Sequence, residues 1–239
     1  IYLEWAKGHR NVCAQLPCGG GKTAIFTKVL KDSPDYSVVI AHRMQIVCQI
    51  SRTLATRGVR HNIIGSKTLI RSAIAMHIAD NKRSFFDPQA KCTVACVDTL
   101  VNLSPQPWMQ RVKLVVQDEA HHVLRKNKWG NAATMFPNAY GLYPTATPER
   151  ADGYGLGRYA DGILDTLVKG PPMRELINRG YLSKYRVFAP PNDLDLSQVN
   201  ISAGGDYSPE KLRMAVHDSH IMGDIVQHYL KIAPGKLGV

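Results

Sequence analysis

The chain lacks long apolar runs and has few cysteines for its length. No apolar stretch in its 239 residues approaches the roughly 20 needed to cross a bilayer, so we expect no membrane-spanning helix. The five cysteines are an odd number, which argues against a secreted disulfide framework and favours free thiols in a reducing compartment. No signal-peptide pattern is visible, and we therefore expect a cytoplasmic protein that is not secreted.

A zinc-binding set is also missing. Cys92 and Cys96 are four residues apart, but no nearby Cys or His pair completes a set of four ligands. If this segment is a strand, both thiols point to the same face and belong to the core.

Acidic residues are scarce: 19 Asp and Glu face 30 Lys and Arg, which gives a net charge of +11. A polyanionic partner is the natural interpretation, with a merely soluble basic surface as the alternative. From Arg43 to Arg83 the only acid is Asp80. We expect the basic side chains of this stretch to line a surface beside His42 and Arg43, unless they form only a solvated helix face. They are Arg43, Arg52, Arg57, Arg60, Lys67, Arg71, Lys82 and Arg83.

A glycine-rich segment, Leu16-Pro17-Cys18-Gly19-Gly20-Gly21-Lys22-Thr23, follows a predicted strand and precedes a predicted helix. Glycines let the backbone turn sharply with its N–H groups aimed inward, and a helix N-terminus adds unpaired N–H groups that suit phosphate. Lys22 supplies a charge for the β- and γ-phosphates of a nucleotide, and the Thr23 hydroxyl can ligate Mg²⁺. Leu16 stands nearest to the place where the general P-loop pattern has a glycine, so a glycine-rich turn without a nucleotide is the alternative.

Two carboxylates follow a second apolar strand. Lys113 to Gln117 is typical of a buried parallel strand, and Asp118 and Glu119 stand at its carboxyl end, where ligands of open α/β sheets bind. Asp118 suits an outer hold on Mg²⁺, and Glu119 suits polarising an attacking water. Alone, the pair could open a helix, where acids are favoured, but the glycine loop upstream favours an ATPase. We expect His121 to reach towards Thr145.

Predicted strands and helices alternate along the first 150 residues, which argues for a mostly parallel sheet flanked by helices on both faces. The predicted strands are Val12–Leu16, Ser37–Ala41, Arg60–Ile64, Thr93–Val97, Leu114–Gln117 and Tyr140–Tyr143, and the predicted helices are Lys22–Leu30, Met44–Arg57, Thr68–Ala79 and His121–Lys128. Glycine- and proline-rich sequence follows Arg150. It is interrupted by a predicted helix at Met173–Asn178, a strand at Tyr185–Ala189, helical sequence from Pro209 to Leu230 and a strand beginning at Leu237.

Four segments in this order resemble superfamily 2 helicases and translocases, in the DEAD/DEAH-like branch that includes type III restriction enzyme helicase subunits and phage DNA helicases. They are the glycine-rich segment, Ile40-Ala41-His42-Arg43, Asp118-Glu119-Ala120-His121-His122 and Thr145-Ala146-Thr147-Pro148-Glu149-Arg150. The resemblance covers residues 11 to 150. It implies an α/β fold of the RecA-like P-loop NTPase type, in a bacterial or phage-infected cell.

The resemblance also implies roles. Residues Pro17 to Thr23 would bind ATP, with Mg²⁺ on Thr23 and Asp118; Lys22, Asp118, Glu119 and His121 would be catalytic. His42, Arg43 and Thr99 would contact a nucleic-acid backbone. Thr145, Ala146 and Thr147 would couple nucleotide state to nucleic-acid grip. The expected partners are nucleic acid, with DNA preferred to RNA, and a second RecA-like domain missing from this chain; no membrane is expected.

The corresponding domain prediction places a RecA-like ATP-binding domain at residues 1–190, a linker at 191–216 and the start of a truncated second domain at 217–239. Such a domain alone is expected to hydrolyse ATP slowly, because a partner domain normally supplies the arginine finger. Two other functions stay open: another P-loop ATPase or kinase, such as a phage packaging motor, and a non-catalytic nucleic-acid-binding module with a relic nucleotide loop.

Overall fold

The computed structural model describes residues 1–149, 153–188, 193–200, 207–219 and 221–236, with only the backbone described at 221–224. The chain divides into two compact units, Ile1–Ser183 and Lys184–Val239.

The first unit contains a parallel sheet whose described strands are arranged in the order β3-β4-β2-β5-β6-β1-β7. The strands are β1 (Asn11–Gln15), β2 (Tyr36–Ala41), β3 (His61–Ile64), β4 (Cys92–Cys96), β5 (Val112–Gln117), β6 (Tyr140–Thr145) and β7 (Thr166–Lys169). Every recorded pairing between them is parallel. The carboxyl ends of the strands therefore meet along one side of the sheet, called the carboxyl edge below.

Helices cover both faces of this sheet. They are α1 (Tyr2–Ala6), α2 (Lys22–Asp32), α3 (Met44–Thr56), α4 (Lys67–Asn81), α5 (Val97–Leu100), α6 (Lys128–Thr134) and α7 (Met173–Asn178). On one face, Phe26 of α2, Leu54 of α3 and Leu69 of α4 pack against the sheet. On the other, Leu100 of α5 and Phe136, which follows α6, do so. The predicted α/β architecture is confirmed, because buried strands with apolar side chains on both sides require two covering layers.

The cysteine prediction also agrees with the structure. Cys92 and Cys96 lie at the two ends of β4 and contribute to the same apolar cluster, as the strand period requires.

Two local predictions are wrong. The segment predicted as a helix at His121–Lys128 contains only a 3-10 turn at Ala120–His122, and the helix α6 begins at Lys128. Tyr185–Phe188 forms no strand, because no strand among the described residues pairs with it, and its aromatic side chains are exposed. Ala189 lies outside the described residues. The short strand β7 and the helix α1 were not predicted.

In the second unit, the helical sequence from Pro209 forms two helices, α8 (Pro209–Asp218) and α9 (Ile221–Ile232). The two helices are separated because Ser219 is extended and its hydroxyl donates to the carbonyl of Val216 at 2.8 Å, which ends α8. The predicted strand at Leu237 lies outside the described residues.

Candidate nucleotide and nucleic-acid site

The predicted site residues follow strands that lie side by side in the sheet. The glycine loop follows β1, Thr145 ends β6, Asp118 follows β5, His42 follows β2, and Thr99 follows β4. Backbone hydrogen bonds tie these strand ends together: the Leu16 N–H donates to the Thr145 carbonyl at 3.0 Å, and the Asp118 N–H donates to the Ile40 carbonyl at 3.2 Å. All five segments therefore lie on the carboxyl edge.

The glycine loop uses backbone conformations that glycine adopts readily. Gly19 and Gly21 have φ of 73° and 89°, in the left-handed region, and Gly21 is the N-cap of α2. The Gly20 N–H donates to the Pro17 carbonyl at 2.9 Å, which closes the turn. Lys22 and Thr23 thus occupy the first turn of a helix whose free N–H groups and partial positive charge face the loop.

The acidic end of β5 is partly buried and electrostatically linked to the glycine loop. Burial raises the pKa of Asp118, the Glu119 N–H that donates to its Oδ1 at 3.0 Å opposes this shift, and the charge of Lys22 also lowers the pKa. Glu119 has φ 55° and ψ 53°, a left-handed conformation that is uncommon outside glycine and is often found at functional positions.

His121 lies between Glu119 and the end of β6. Its Nδ1 is 3.2 Å from the Thr145 hydroxyl oxygen and 3.4 Å from a Glu119 carboxylate oxygen. The Thr145 hydroxyl itself donates to the Thr147 carbonyl at 3.1 Å and accepts from the Thr147 N–H at 3.2 Å. With the Thr145 proton donated to Thr147, the His121 Nδ1 donates to the Thr145 oxygen, and the Glu119 carboxylate lies beside this hydrogen bond. Ala146, half-buried, lies within this turn.

The proposed nucleic-acid contacts occupy the other half of the edge. Arg43 is exposed and is the N-cap residue of α3, while the preceding His42 is half-buried. Burial, and next the charge of Arg43, lower the pKa of His42, so its ring is neutral near pH 7. Thr99 is half-buried in the short helix α5, and among the described contacts none joins it directly to His42 or Arg43.

The basic stretch does not form one surface beside His42 and Arg43, and this expectation is corrected. Helix α3 leads from the carboxyl edge to the opposite edge, so Arg57 and Arg60 lie far from Arg43. Helix α4 likewise leads away from the carboxyl edge and places Lys82 and Arg83 at its far end. In addition, Arg52 forms an ion pair with Asp80.

Sequence reasoning missed three residues that support the site. Gln117 is buried and its amide donates to the Trp129 carbonyl at 3.2 Å. Asn127 caps α6 by accepting from the N–H groups of Trp129 and Gly130, both at 3.0 Å. An Asn immediately before a helical segment is an N-cap signal, so Asn127 could have been found from the sequence; the contacts of Gln117 and Trp129 could not.

The ligand chemistry fits Mg²⁺ bound together with a nucleotide. One carboxylate and one hydroxyl are the kind of protein donors that Mg²⁺ uses when phosphates and waters complete its octahedron. In the described part of the chain, no group of three or more His, Cys, Asp or Glu residues could hold an ion by itself. None of the described helices is long and apolar enough to cross a membrane.

Fold and site together define a RecA-like P-loop domain of the helicase class. Residues 1–150 match the family model of the type III restriction enzyme res subunit, and the chain belongs to this family. The Saccharomyces cerevisiae protein IRC3, which carries the name of an ATP-dependent helicase, is 25% identical over 242 residues; the match covers 94% of this chain and 32% of IRC3. The chain thus spans about a third of that relative.

A solved structure has a similar fold. The Hef helicase domain of Pyrococcus furiosus matches 78% of this chain and 40% of its own, with a TM-score of 0.50 and 19% identity. At this identity the likeness concerns the fold alone.

Proposed function

We propose that this chain is the ATP-binding domain of a nucleic-acid motor, a helicase or translocase that hydrolyses ATP to move along DNA. One observation carries the proposal: the glycine loop after β1, which leads into the N-terminus of α2 with Lys22 in its first turn, and Asp118 after β5 lie on the same edge of a parallel sheet. That arrangement suits a triphosphate between the glycine loop and the acidic turn. The family and the named relative support the same activity.

In this proposal each residue has a distinct task. The N–H groups of residues 18 to 23, apart from that of Gly20, which closes the turn, bind the phosphates together with the Lys22 ammonium. Thr23 and Asp118 hold Mg²⁺, which neutralises charge on the phosphates when it is bound. Glu119 accepts the proton of the attacking water. His121 hydrogen-bonds through Nδ1 to Thr145 and lies 3.4 Å from the Glu119 carboxylate, and so keeps that carboxylate oriented.

Movement along a nucleic acid requires that the bound nucleotide changes the affinity of the protein for the nucleic-acid strand. We propose that His42, Arg43 and Thr99 contact the phosphate backbone, and that Thr145 to Thr147 link this contact to the nucleotide. A second RecA-like domain is the proposed partner. In this proposal the first domain spans residues 1–190, a linker spans 191–216, and the second domain begins within 217–239. The compact unit Ile1–Ser183 ends seven residues before the first proposed boundary.

The substitution Glu119→Gln tests the proposal. It keeps the size of the side chain but removes the base, so ATP turnover should fall by about 10²–10⁴ while ATP affinity is retained. Turnover is measured on the complete gene product with single-stranded DNA, duplex DNA or RNA, and ATP affinity by equilibrium titration. Glu175→Gln, on the surface of α7, is the matched control and should match the wild type. Equal turnover in Glu119→Gln would remove Glu119 from its role.

A further inference from the structure

Three aromatic side chains form a contiguous group on the carboxyl edge, called the ring cluster here: His42, His122 and Trp129. The His122 ring stacks on Trp129, with centroids 5.2 Å apart and planes 21° apart. The His42 ring meets both others edge-on, at 5.5 Å from His122 and 5.6 Å from Trp129. The segment after β2, the turn after β5 and helix α6 are thereby joined.

Two members of the ring cluster are held firmly to the acidic turn. The Asn127 side chain donates to the His122 carbonyl at 2.8 Å and accepts from the Trp129 N–H. The Trp129 carbonyl accepts from Gln117, the residue immediately before Asp118. Gly130 allows α6 to approach this turn closely, since a Cβ there would overlap the Leu124 carbonyl oxygen. His122 and Trp129 therefore form a wall of two rings whose backbone is anchored to the acidic turn.

The ring cluster connects the two halves of the edge. On one side, His42 directly precedes Arg43. On the same side, the Lys128 ammonium lies over the Trp129 ring, 4.9 Å from its centroid. It also forms a 2.7 Å ion pair with Asp98, the residue before Thr99. On the other side, the His122 ring is 4.1 Å from the His121 ring, which contacts Thr145 and Glu119. Both proposed nucleic-acid segments thus reach the hydrolysis residues through Trp129 and His122.

We propose that His122 and Trp129 are positioning residues that transmit nucleic-acid binding at His42 and Arg43 to the hydrolysis residues. When Arg43 engages a phosphate, its backbone carries the His42 ring against the His122–Trp129 wall, and His122 in turn aligns His121 with Glu119. This inference rests on the proposed motor function. Such coupling requires that the ring contacts differ between the free and the nucleic-acid-bound states.

The alternative, simple packing, predicts a different response to substitution. Packing alone depends on buried volume, so its loss lowers stability and basal turnover together. A positioning role depends on the flat rings, so a phenyl ring should serve where an aliphatic side chain does not.

The test compares His122→Leu and Trp129→Leu with the ring-retaining variants His122→Phe and Trp129→Phe in the complete gene product. Trp108→Leu, whose ring packs on Phe136 and does not belong to the ring cluster, is the matched control. Basal ATP turnover, turnover at saturating single-stranded DNA, duplex DNA or RNA, and the affinity for each are measured. In both Leu variants the ratio of stimulated to basal turnover should fall at least about tenfold, within the usual range of couplings, while basal turnover stays within about twofold. The Phe variants and Trp108→Leu should retain the wild-type ratio of stimulated to basal turnover.

The outcomes separate this inference from the proposed function. If no nucleic acid stimulates the wild-type protein, the motor function fails and the inference falls with it. If the wild type is stimulated and the Leu variants keep the full ratio, only the positioning role is overturned. Parallel loss of basal turnover and thermal stability, without rescue by Phe, would also overturn it.

Trp129 fluorescence provides a second measurement that leaves the ring cluster intact. The chain has three tryptophans, and replacing Trp5 and Trp108 with Phe leaves Trp129 as the single reporter. Addition of the stimulating oligonucleotide, without ATP, should change the emission of Trp129, and the additional change His42→Leu should abolish that response. Unchanged emission at a saturating oligonucleotide concentration would contradict the movement of His42 against the wall.

Discussion

A buried chain of hydrogen bonds joins Ser51, His61 and His77 beneath α3 and α4. The Phe85 N–H donates to His77 Nδ1 at 3.3 Å, so His77 Nε2 carries its proton and donates to the Ser51 hydroxyl oxygen at 2.9 Å. The Ser51 hydroxyl donates to His61 Nε2 at 2.7 Å, and His61 Nδ1 donates to the Val59 carbonyl at 2.8 Å. Every member has one orientation, and both imidazoles must be neutral.

This network predicts a loss of stability in mild acid. Burial lowers the pKa of His61 to about 4 and also lowers that of His77. Between pH 6.5 and 4 the unfolded chain therefore binds more protons than the folded one. Stability is complete above pH 6.5 and is lost as the pH falls through this window, by about 3 kcal/mol for His61 alone. Urea unfolding at several pH values measures the slope.

His61→Phe identifies the source of that slope. Its stability at pH 7 falls, but its dependence on pH between 6.5 and 4 should be flatter than that of the wild type, because one titrating group is gone. The exposed His217→Gln is the control and should leave the slope unchanged. Parallel slopes for wild type and His61→Phe would exclude the network as the cause. The raised pKa of Asp118 changes stability with pH in the opposite direction, but Asp118 is present in both proteins, so its contribution cancels when their slopes are compared.

Cys18 reports on the glycine loop. Its thiol is exposed, whereas Cys13, Cys48 and Cys92 are buried, and burial raises the pKa of Cys13 to about 12 and that of Cys92 to about 11. A maleimide should therefore modify Cys18 first. ATP with Mg²⁺ at about ten times its Kd should slow this reaction roughly tenfold, since only free protein reacts. Mass spectrometry after timed labelling measures the rate.

The variant Cys18→Ser checks the labelling result. It should lose the fast-reacting thiol yet bind ATP as the wild type does, because serine is similar in size. If ATP leaves the labelling rate of the wild-type Cys18 unchanged, the nucleotide does not cover this loop.

Among the elements, those of the sheet interior could be predicted, and those at its margins could not. Strands such as β2 and β5 are buried on both faces and appear in the sequence as continuous apolar runs. In β7, by contrast, Leu167 and Lys169 are exposed, and its assignment depends on pairing with β1, about 150 residues away. The acidic turn looked like a helix start because carboxylates favour that position, but the left-handed Glu119 interrupts the helix.

Helix α6 depends on a close approach that one glycine permits. A Cβ at Gly130 would overlap the backbone carbonyl of Leu124, which cannot move as a flexible side chain could. Gly130→Ala should therefore destabilise the fold by about 1–3 kcal/mol, the usual cost of overpacking. Asn131→Ala, on the exposed side of the same helix, should change stability by less than about 0.5 kcal/mol. Denaturant midpoints measure both; equal midpoints would mean that α6 shifts at no cost.

At the scale of the whole molecule, the order of the strands in the sheet decides which site residues become neighbours, and this order could not be predicted from the sequence. Alternating strands and helices predict which residues stand at carboxyl ends, and hence that the glycine loop and Asp118 share an edge. The order β3-β4-β2-β5-β6-β1-β7 depends on long-range packing. It places β6 between β1 and β5, and so brings Thr145 to His121. The same order separates Arg57 and Arg60 from Arg43, which a reading of charge along the chain could not detect.

The division of charge between two edges leads to a prediction about nucleic-acid binding. Arg43 and Arg57 are both exposed and flank the same helix, Arg43 as its N-cap and Arg57 as its C-cap. Replacing either with Ala removes one positive charge, so the net charge of the two variants is identical. Only Arg43 stands on the carboxyl edge, and only its replacement should remove a phosphate contact.

Fluorescence anisotropy with a single-stranded oligonucleotide at several salt concentrations measures the difference. For Arg43→Ala, the slope of log K against log salt concentration should become shallower by about 0.7, the release of counterions from one phosphate of a single strand. Arg57→Ala should keep the wild-type slope. Should both variants lose the same amount, the protein would bind through its overall positive charge, and the carboxyl edge would not be the nucleic-acid track. A loss confined to Arg57→Ala would place the track at the opposite edge.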